Sequence, residues 1–211
     1  MVNHKRTLRL MREGGLLWRG KRRLVVRTAS DHPDPLYPNL VAGSVPQGPD
    51  EVWVADITYI RLPSRFIYLA TILDAYSRKC VGYNIDRGLG EELVLGALGM
   101  AAKGRTLLPG LIHHSDQGAQ YRSKSYQERL LGLGIRISMS RRGNPYENAI
   151  AESFYRTLKC EEVELKHYQT LGEARENIAQ YIDEVYNQKR LHSSLGYRSP
   201  TEFEALYYQS T

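Results

Sequence analysis

Cysteine is nearly absent. Cys80 and Cys160 are the only two in 211 residues, with no CxxC spacing and no nearby Cys/His pairing. That excludes a disulfide framework and a zinc site of ordinary ligand spacing, and it points to a reducing, intracellular compartment. Apolar runs are short as well: none approaches the roughly 18 residues needed to span a bilayer. The N-terminal MVNHKRTLRLMREGG has no continuous apolar core of the kind a signal peptide carries. The expected location is the cytoplasm, with no membrane partner. Internal repeats and low-complexity tracts are missing too. What remains, 42% hydrophobic and 25% charged, is the composition of a soluble globular chain. Its length allows one sizeable domain with small appendages.

The formal charge of +6 is unevenly placed. Residues 1–27 hold nine of the 29 Lys and Arg residues (Lys5, Arg6, Arg9, Arg12, Arg19, Lys21, Arg22, Arg23 and Arg27) against Glu13 alone, a net of +8. The other 20 basic and 22 acidic residues leave the body at −2. A basic arm on a nearly neutral body is either a solvated face or a contact to a polyanion, most simply nucleic-acid phosphate. Charge alone does not decide between them.

Along the chain, Asn3 can cap a short helix that ends at Gly14-Gly15, with Leu8 and Met11 on one face and Arg6, Arg9 and Arg12 on another. Residues 1–29 thus form a basic helical arm. Residues 30–50 carry Pro33, Pro35, Pro38, Pro46 and Pro49 and are expected to be an extended linker. Next come three β-branched and aromatic stretches, Glu51–Ile60, Phe66–Leu73 and Lys79–Ile85, close enough to form an antiparallel meander. Helix then alternates with strand: a helix over Glu91–Lys103, a strand over Leu111–His114, a helix over Ser125–Leu133 and a strand over Ile135–Ser138. After the loop RRGNPYEN come helices over Ala149–Cys160 and Leu171–Tyr186. The order predicts an α/β fold, a mixed five-stranded sheet flanked by helices over 51–165. Residues 166–211 are expected to pack on it as a C-terminal helix and basic tail.

Three carboxylates stand out. Asp56 interrupts the first strand, where Asp is disfavoured; it either faces water or serves a site. Asp116 ends a short strand in HHSDQG, a place where α/β sheets carry sites and where turns are also ordinary. Glu152 lies in the first turns of a helix, where complementing the helix dipole is reason enough for a Glu. Each is ambiguous alone. Their spacing is more telling: 35 residues separate Asp116 from Glu152, and Lys159 follows Glu152 by seven, two helical turns on.

With that spacing, the blocks WVADITYI, HHSDQGAQY, GNPYENAIAESFYRTLK and YNQKRLHSSLGYRSPTEFE resemble the DDE transposases of the retroviral-integrase-like superfamily. The likeness is to the catalytic proteins of insertion sequences with two overlapping reading frames. It extends over nearly the whole chain, from the arm KRTLRLMREGGL and the linker DHPDPLYPNL to residue 205. Leu191 stands where the family usually has Pro. The arm resembles only the latter part of the family's helix-turn-helix.

The resemblance implies an RNase H-like catalytic core, with Asp56, Asp116 and Glu152 holding Mg²⁺ or Mn²⁺ as two ions, Asp56 shared between them. Such oxygen ligands suit a hard cation, and two ions suit in-line displacement at phosphorus by water or a DNA 3′-hydroxyl. Lys159 and Arg156, in the helix of Glu152, are then candidate phosphate contacts. So are Lys5, Arg6, Arg9, Arg12, Lys21, Arg22 and Arg23 in the arm, and Arg190 and His192 in the C-terminal block. Asp74, in LDAYSRK, is read as a turn residue. The implied partners are transposon-end and target DNA, further copies of the chain on that DNA, and an upstream-frame DNA-binding protein; the implied setting is the bacterial nucleoid. A metal-dependent nuclease of the same fold and an inactive DNA-binding relic are the alternatives. The basic arm and C-terminal block speak against the first, and the intact carboxylates against the second.

Overall fold

A computed structural model of the chain describes residues 4–14, 37–140 and 149–210. The chain divides into two compact units, Met1–Asp31 and His32–Thr211. In the first, α1 (His4–Glu13) forms where the three-residue spacing predicts it, with Leu8 and Met11 partly exposed. The expected cap, Asn3, lies outside the described residues. Arg9 and Glu13 form an exposed pair at 3.7 Å, a geometry that contributes little.

In the second unit the sheet is the mixed, five-stranded one expected. β1 (Val52–Arg61), β2 (Phe66–Asp74) and β3 (Cys80–Asp86) pair as an antiparallel meander, and β4 (Ile112–Ser115) and β5 (Arg136–Met139) add in parallel on the other side of β1. The spatial order is β3-β2-β1-β4-β5. β1 is central and covered on both faces, so its residues read as a nearly continuous apolar run. Val54 and Ile60 point into one core, and Trp53 and Ala55 into the other. The second core is closed by α2 (Glu91–Gly104). Gly82 of β3 is required there, because a Cβ at that position would lie 2.3 Å from the Ala97 carbonyl.

The helix expected over 125–133 is preceded by one more turn. α3 (Ala119–Arg122) and α4 (Lys124–Gly132) are split by Ser123, whose extended backbone (φ −60°, ψ 140°) breaks the ladder. α5 (Ala149–Leu158) continues through a π-helical turn at Lys159–Val163 into α6 (Glu164–Lys166). α7 (Leu171–Gln180) ends in a second π-helical turn, Tyr181–Tyr186. Phe154, Leu158, Ile178 and Ile182 from these helices fill the first core.

Two features differ from expectation. Residues 37–50 contain no helix or strand but are pinned to the sheet. The Leu40 amide donates to Ser138 Oγ (2.9 Å), the Met139 amide donates to the Pro38 carbonyl (3.4 Å), and Asp50 is buried. Proline density excluded a helix there without excluding packing. The other is α8 (Pro200–Ser210), which the linear pattern did not announce. Its start is a capping box: the Ser199 amide donates to Glu202 Oε2 (2.8 Å), and the Glu202 amide donates to Ser199 Oγ (3.3 Å). Glu204, on α8, is buried and accepts from Arg105 Nη2 (2.6 Å) and Lys79 Nζ (2.9 Å). Arg105 also donates to Asp50. The C-terminal helix is thereby tied to the sheet through buried charge.

Candidate active site

β1 and β4 run parallel with Val52 opposite Ile112 and Val54 opposite His114. The offset is sixty residues throughout, and continuing it by two places Asp56 opposite Asp116. The pairing itself ends two residues earlier, at Val54 and His114, and β4 ends at Ser115 while β1 runs on to Arg61. Two carboxylates with no sequence proximity thus lie just past the end of the parallel pairing, the region in which α/β sheets expose sites, and both act electrostatically on Tyr121 and Tyr155.

Asp116 opens a tight turn. Its Oδ1 accepts from the Gly118 amide (2.9 Å), and a Cβ on Gly118 would come within 2.9 Å of the same oxygen. Solvent reaches Asp116, yet the surrounding protein removes enough hydration to raise its pKa, and the Gly118 amide offsets this only in part. Asp56 is half-buried, and its Oδ1 accepts from the Ile57 amide (2.8 Å).

Two tyrosines lie by the aspartates. Tyr121, from α3, is 2% exposed, and among the described residues its hydroxyl has no hydrogen-bond partner. Its ring packs on Tyr126 (centroids 5.6 Å apart) and His113 (6.1 Å). Burial pushes its phenol well above the ordinary value, with Tyr126, Tyr155, Asp56 and Asp116 adding to the shift, so it stays a donor. Tyr155, from α5, donates to the Asp56 carbonyl and sits 2.8 Å from Thr71 Oγ1.

Glu152 is exposed on α5, one turn before Tyr155. Oxygen donors on Asp56 and Asp116 suit a hard divalent cation, and the unanswered Tyr121 hydroxyl marks a place where an acceptor is wanted. Among the described residues, however, no group of three His, Cys, Asp or Glu side chains gathers to hold a metal. The structure brings Asp56 and Asp116 together and anchors the helix of Glu152 to Asp56; it does not draw the third carboxylate into one ligand set.

The basic candidates are scattered. Arg156 is exposed on α5. Lys159 Nζ lies 4.8 Å from the centroid of the Tyr59 ring, a cation–π contact. Arg190 is paired with Glu161 at 2.9 Å. His192 stacks edge-on against Tyr186 (5.1 Å); burial, helped by Arg190, lowers its pKa to about 4, so it is neutral at physiological pH. Lys5, Arg6, Arg9 and Arg12 are exposed on α1. Lys21, Arg22 and Arg23 lie outside the described residues, as do residues 141–148, the stretch RRGNPYEN. Asp74 is the turn residue it was read to be, accepting from the amides of Asp50 (2.8 Å) and Ser77 (2.7 Å).

Comparison with known proteins bears on this geometry. Residues 46–145 and residues 133–200 each match an integrase core domain family. The chain is 41% identical over 205 residues to the transposase of insertion sequence element IS904 from Lactococcus lactis subsp. lactis (strain IL1403), covering 97% of this chain and 81% of that one. It is 34% identical to the InsF transposase of insertion sequence IS3A from Escherichia coli (strain K12), covering 96% of this chain and 70% of its relative. The chain belongs to the IS3 family of DDE transposases.

The transposase is therefore a polynucleotidyl transferase of the DDE type, acting in DNA transposition. Its fold is RNase H-like. The HTLV-2 integrase catalytic core domain, solved in complex with magnesium in a trimeric form, superposes with a TM-score of 0.57 at 15% identity, covering 75% of this chain and 98% of that one. Sequence reasoning missed Tyr121, Tyr155 and Thr71. A signal was present for the first two, since Tyr121 closes the block HHSDQGAQY and Tyr155 follows Glu152 by three in a helix. Thr71 sits in FIYLATIL with nothing local to mark it.

Proposed function

We propose that the chain catalyses metal-dependent cleavage of transposon ends and their joining to target DNA, with Asp56, Asp116 and Glu152 as the metal-holding carboxylates. The observation that supports this most is that Asp56 and Asp116 both lie two residues beyond the last pair of the β1–β4 ladder, with α5 hydrogen-bonded to the Asp56 main chain. When bound at these carboxylates, Mg²⁺ or Mn²⁺, as a pair of ions, supplies activation of the attacking oxygen and stabilisation of the leaving one.

The chain's own residues do the rest. Asp56 offers negative oxygen from within β1 and Asp116 from the turn that follows β4, where the Gly118 amide holds the Asp116 carboxylate in one orientation. In cleavage, water attacks phosphorus and the DNA 3′-oxygen leaves; in joining, that 3′-hydroxyl attacks a target phosphate and displaces its 3′-oxygen. Neither step needs a protein nucleophile. Arg156 and Lys159 flank Glu152 on the same helix and serve DNA phosphate, as do the exposed bases of α1 and, in the arm beyond it, Lys21, Arg22 and Arg23. Arg190 and His192 belong to the same DNA-facing block. Joining two ends calls for more than one copy on DNA, with an upstream-frame protein contributing end recognition. The substrate places the action at the bacterial nucleoid.

The test is a strand-transfer assay on a labelled transposon-end oligonucleotide, with and without Mg²⁺ or Mn²⁺, using the chain alone and with its upstream-frame partner. Metal-dependent joined products, lost in Glu152→Gln, are expected. Cleavage without joining would favour a nuclease. No chemistry in any format would leave a DNA-binding relic.

A further inference from the structure

Tyr155 ends in a hydroxyl buried inside an otherwise apolar core; its residue exposure is 6%. Burying a hydroxyl is costly unless both its roles are met. Here both are: Tyr155 Oη donates to the Asp56 carbonyl, which leaves Thr71 Oγ1, at 2.8 Å, as the donor to Tyr155. Thr71 is itself 1% exposed and is the cross-strand partner of Asp56 in the β1–β2 ladder. Three elements, β1, β2 and α5, therefore meet through one oxygen.

The apolar neighbours of Tyr155 on α5 (Ala151, Phe154 and Leu158) bury the helix but do not fix its rotation. Dispersion contacts are non-directional and tolerate small rolls and slides, whereas a hydrogen bond is steep in angle and distance. A Phe at 155 would fill the same space without a buried polar atom, so packing alone does not account for the hydroxyl. What it does fix is the height and rotation of α5 against the Asp56 main chain. Glu152 is three residues earlier on the same helix, one turn back at the exposed edge of that face, a rise of about 4.5 Å.

We infer that Tyr155 is a positioning residue, whose hydroxyl, held between the Asp56 carbonyl and Thr71, orients the carboxylate of Glu152 toward Asp56 and Asp116. This rests on the proposed reading of Glu152 as the third carboxylate. The residue touches neither DNA nor metal in this role. It transmits the position of one ligand's backbone to the helix that carries another.

The experiment uses the full chain and its Tyr155→Phe, Thr71→Val and Glu152→Gln variants. Mn²⁺ binding is titrated without DNA, by the electron paramagnetic resonance signal of free Mn²⁺. Thermal unfolding, end-DNA binding and the Mn²⁺ dependence of strand transfer are measured alongside. Tyr155→Phe is expected to bind DNA as the parent does but to bind Mn²⁺ about tenfold more weakly, the lower end of what outer residues of metal sites contribute. The metal concentration for half-maximal transfer should rise by a similar factor. Thr71→Val should shift both in the same direction, Thr71→Ser should restore them, and adding Tyr155→Phe to Glu152→Gln should weaken Mn²⁺ binding no further. A lower unfolding midpoint with unchanged Mn²⁺ affinity in both Tyr155→Phe and Thr71→Val would overturn the inference, leaving an ordinary buried hydroxyl. If Glu152→Gln itself binds Mn²⁺ as the parent does, the carboxylate assignment falls, and the role of Tyr155 with it. Should Tyr155→Phe fail to fold, Thr71→Val and its Ser control decide the question.

Discussion

Asp56 and Asp116 each lie two residues beyond the last pair of the parallel β1–β4 ladder, at the same sixty-residue offset that holds from Val52–Ile112 to Val54–His114. Their common level is set by backbone pairing, so it is present before any ligand arrives. Preorganisation of this kind keeps the cost of assembling like charges within the folding free energy. The raised pKa of Asp116 reflects the same crowding by protein.

Gly118→Ala tests how tightly that carboxylate is held. Gly118 has φ −60° and ψ 147°, which any residue adopts, so the substitution acts by steric contact alone. The new Cβ, 2.9 Å from Asp116 Oδ1, must displace it. Strand transfer should fall by about 10- to 100-fold, since small misplacements are costly in rate, while the unfolding midpoint moves little. Unchanged activity would remove Asp116 orientation from the mechanism.

Tyr121→Phe separates stability from function. The buried Tyr121 hydroxyl has no partner among the described residues, and an unmet buried donor is destabilising. Removing it should stabilise the metal-free chain by about 1 kcal/mol while lowering transfer activity, because the site then loses that hydrogen-bond donor. Calorimetry and the transfer assay read the two effects. Loss of stability would mean that the hydroxyl is already satisfied.

Acidification should loosen α8. Burial alone would raise the Glu204 carboxyl, but hydrogen bonds from Arg105 and Lys79 outweigh it and hold the pKa below the ordinary 4.5. A carboxyl depressed by folding contributes stability above its unfolded value and loses it as pH falls through the folded one. Glu204→Gln should therefore cost about 3 kcal/mol at pH 7, the low end for breaking a buried ion pair. Below about pH 4.5 its midpoint should fall less steeply than that of the parent. Thermal unfolding between pH 7 and pH 3.5 checks both. Parallel curves would dismiss the tie.

Salt dependence measures the arm. Lys5, Arg6, Arg9 and Arg12 are exposed on α1, and each phosphate contact they make contributes roughly 0.9 to the slope of log affinity against log salt. Replacing all four by Ala should flatten that slope in fluorescence-anisotropy titrations with duplex DNA. An unchanged slope would mean that the arm is a solvated face.

Much was legible in the linear pattern. The β-branched and aromatic runs marked the three strands of the meander, and the alternation with helix marked the two short ones, because period and composition act locally. Asp56 was visible as the wrong residue for a strand, and the 35-residue gap from Asp116 to Glu152 carried the family likeness. α8 was missed although Ser199, Pro200 and Glu202 spell out a capping box, since a short helix start competes with the many turns that use the same residues. The strap at 37–50 was read as a spacer because proline reports backbone shape and not contact.

The sequence by itself determined which segments are strand and helix, where charge concentrates and which carboxylates are out of place, since these depend on neighbours within a few residues. Only the tertiary structure decided that β4 pairs beside β1, so that Asp56 and Asp116 stand at the same end of the ladder. It also decided that Tyr155 reaches the Asp56 main chain and that Glu204 is buried against Arg105. A hydroxyl or carboxylate carries no local record of its partner. Which distant group answers it follows from how two faces of one sheet are covered, a choice made by the burial of the whole apolar surface at once.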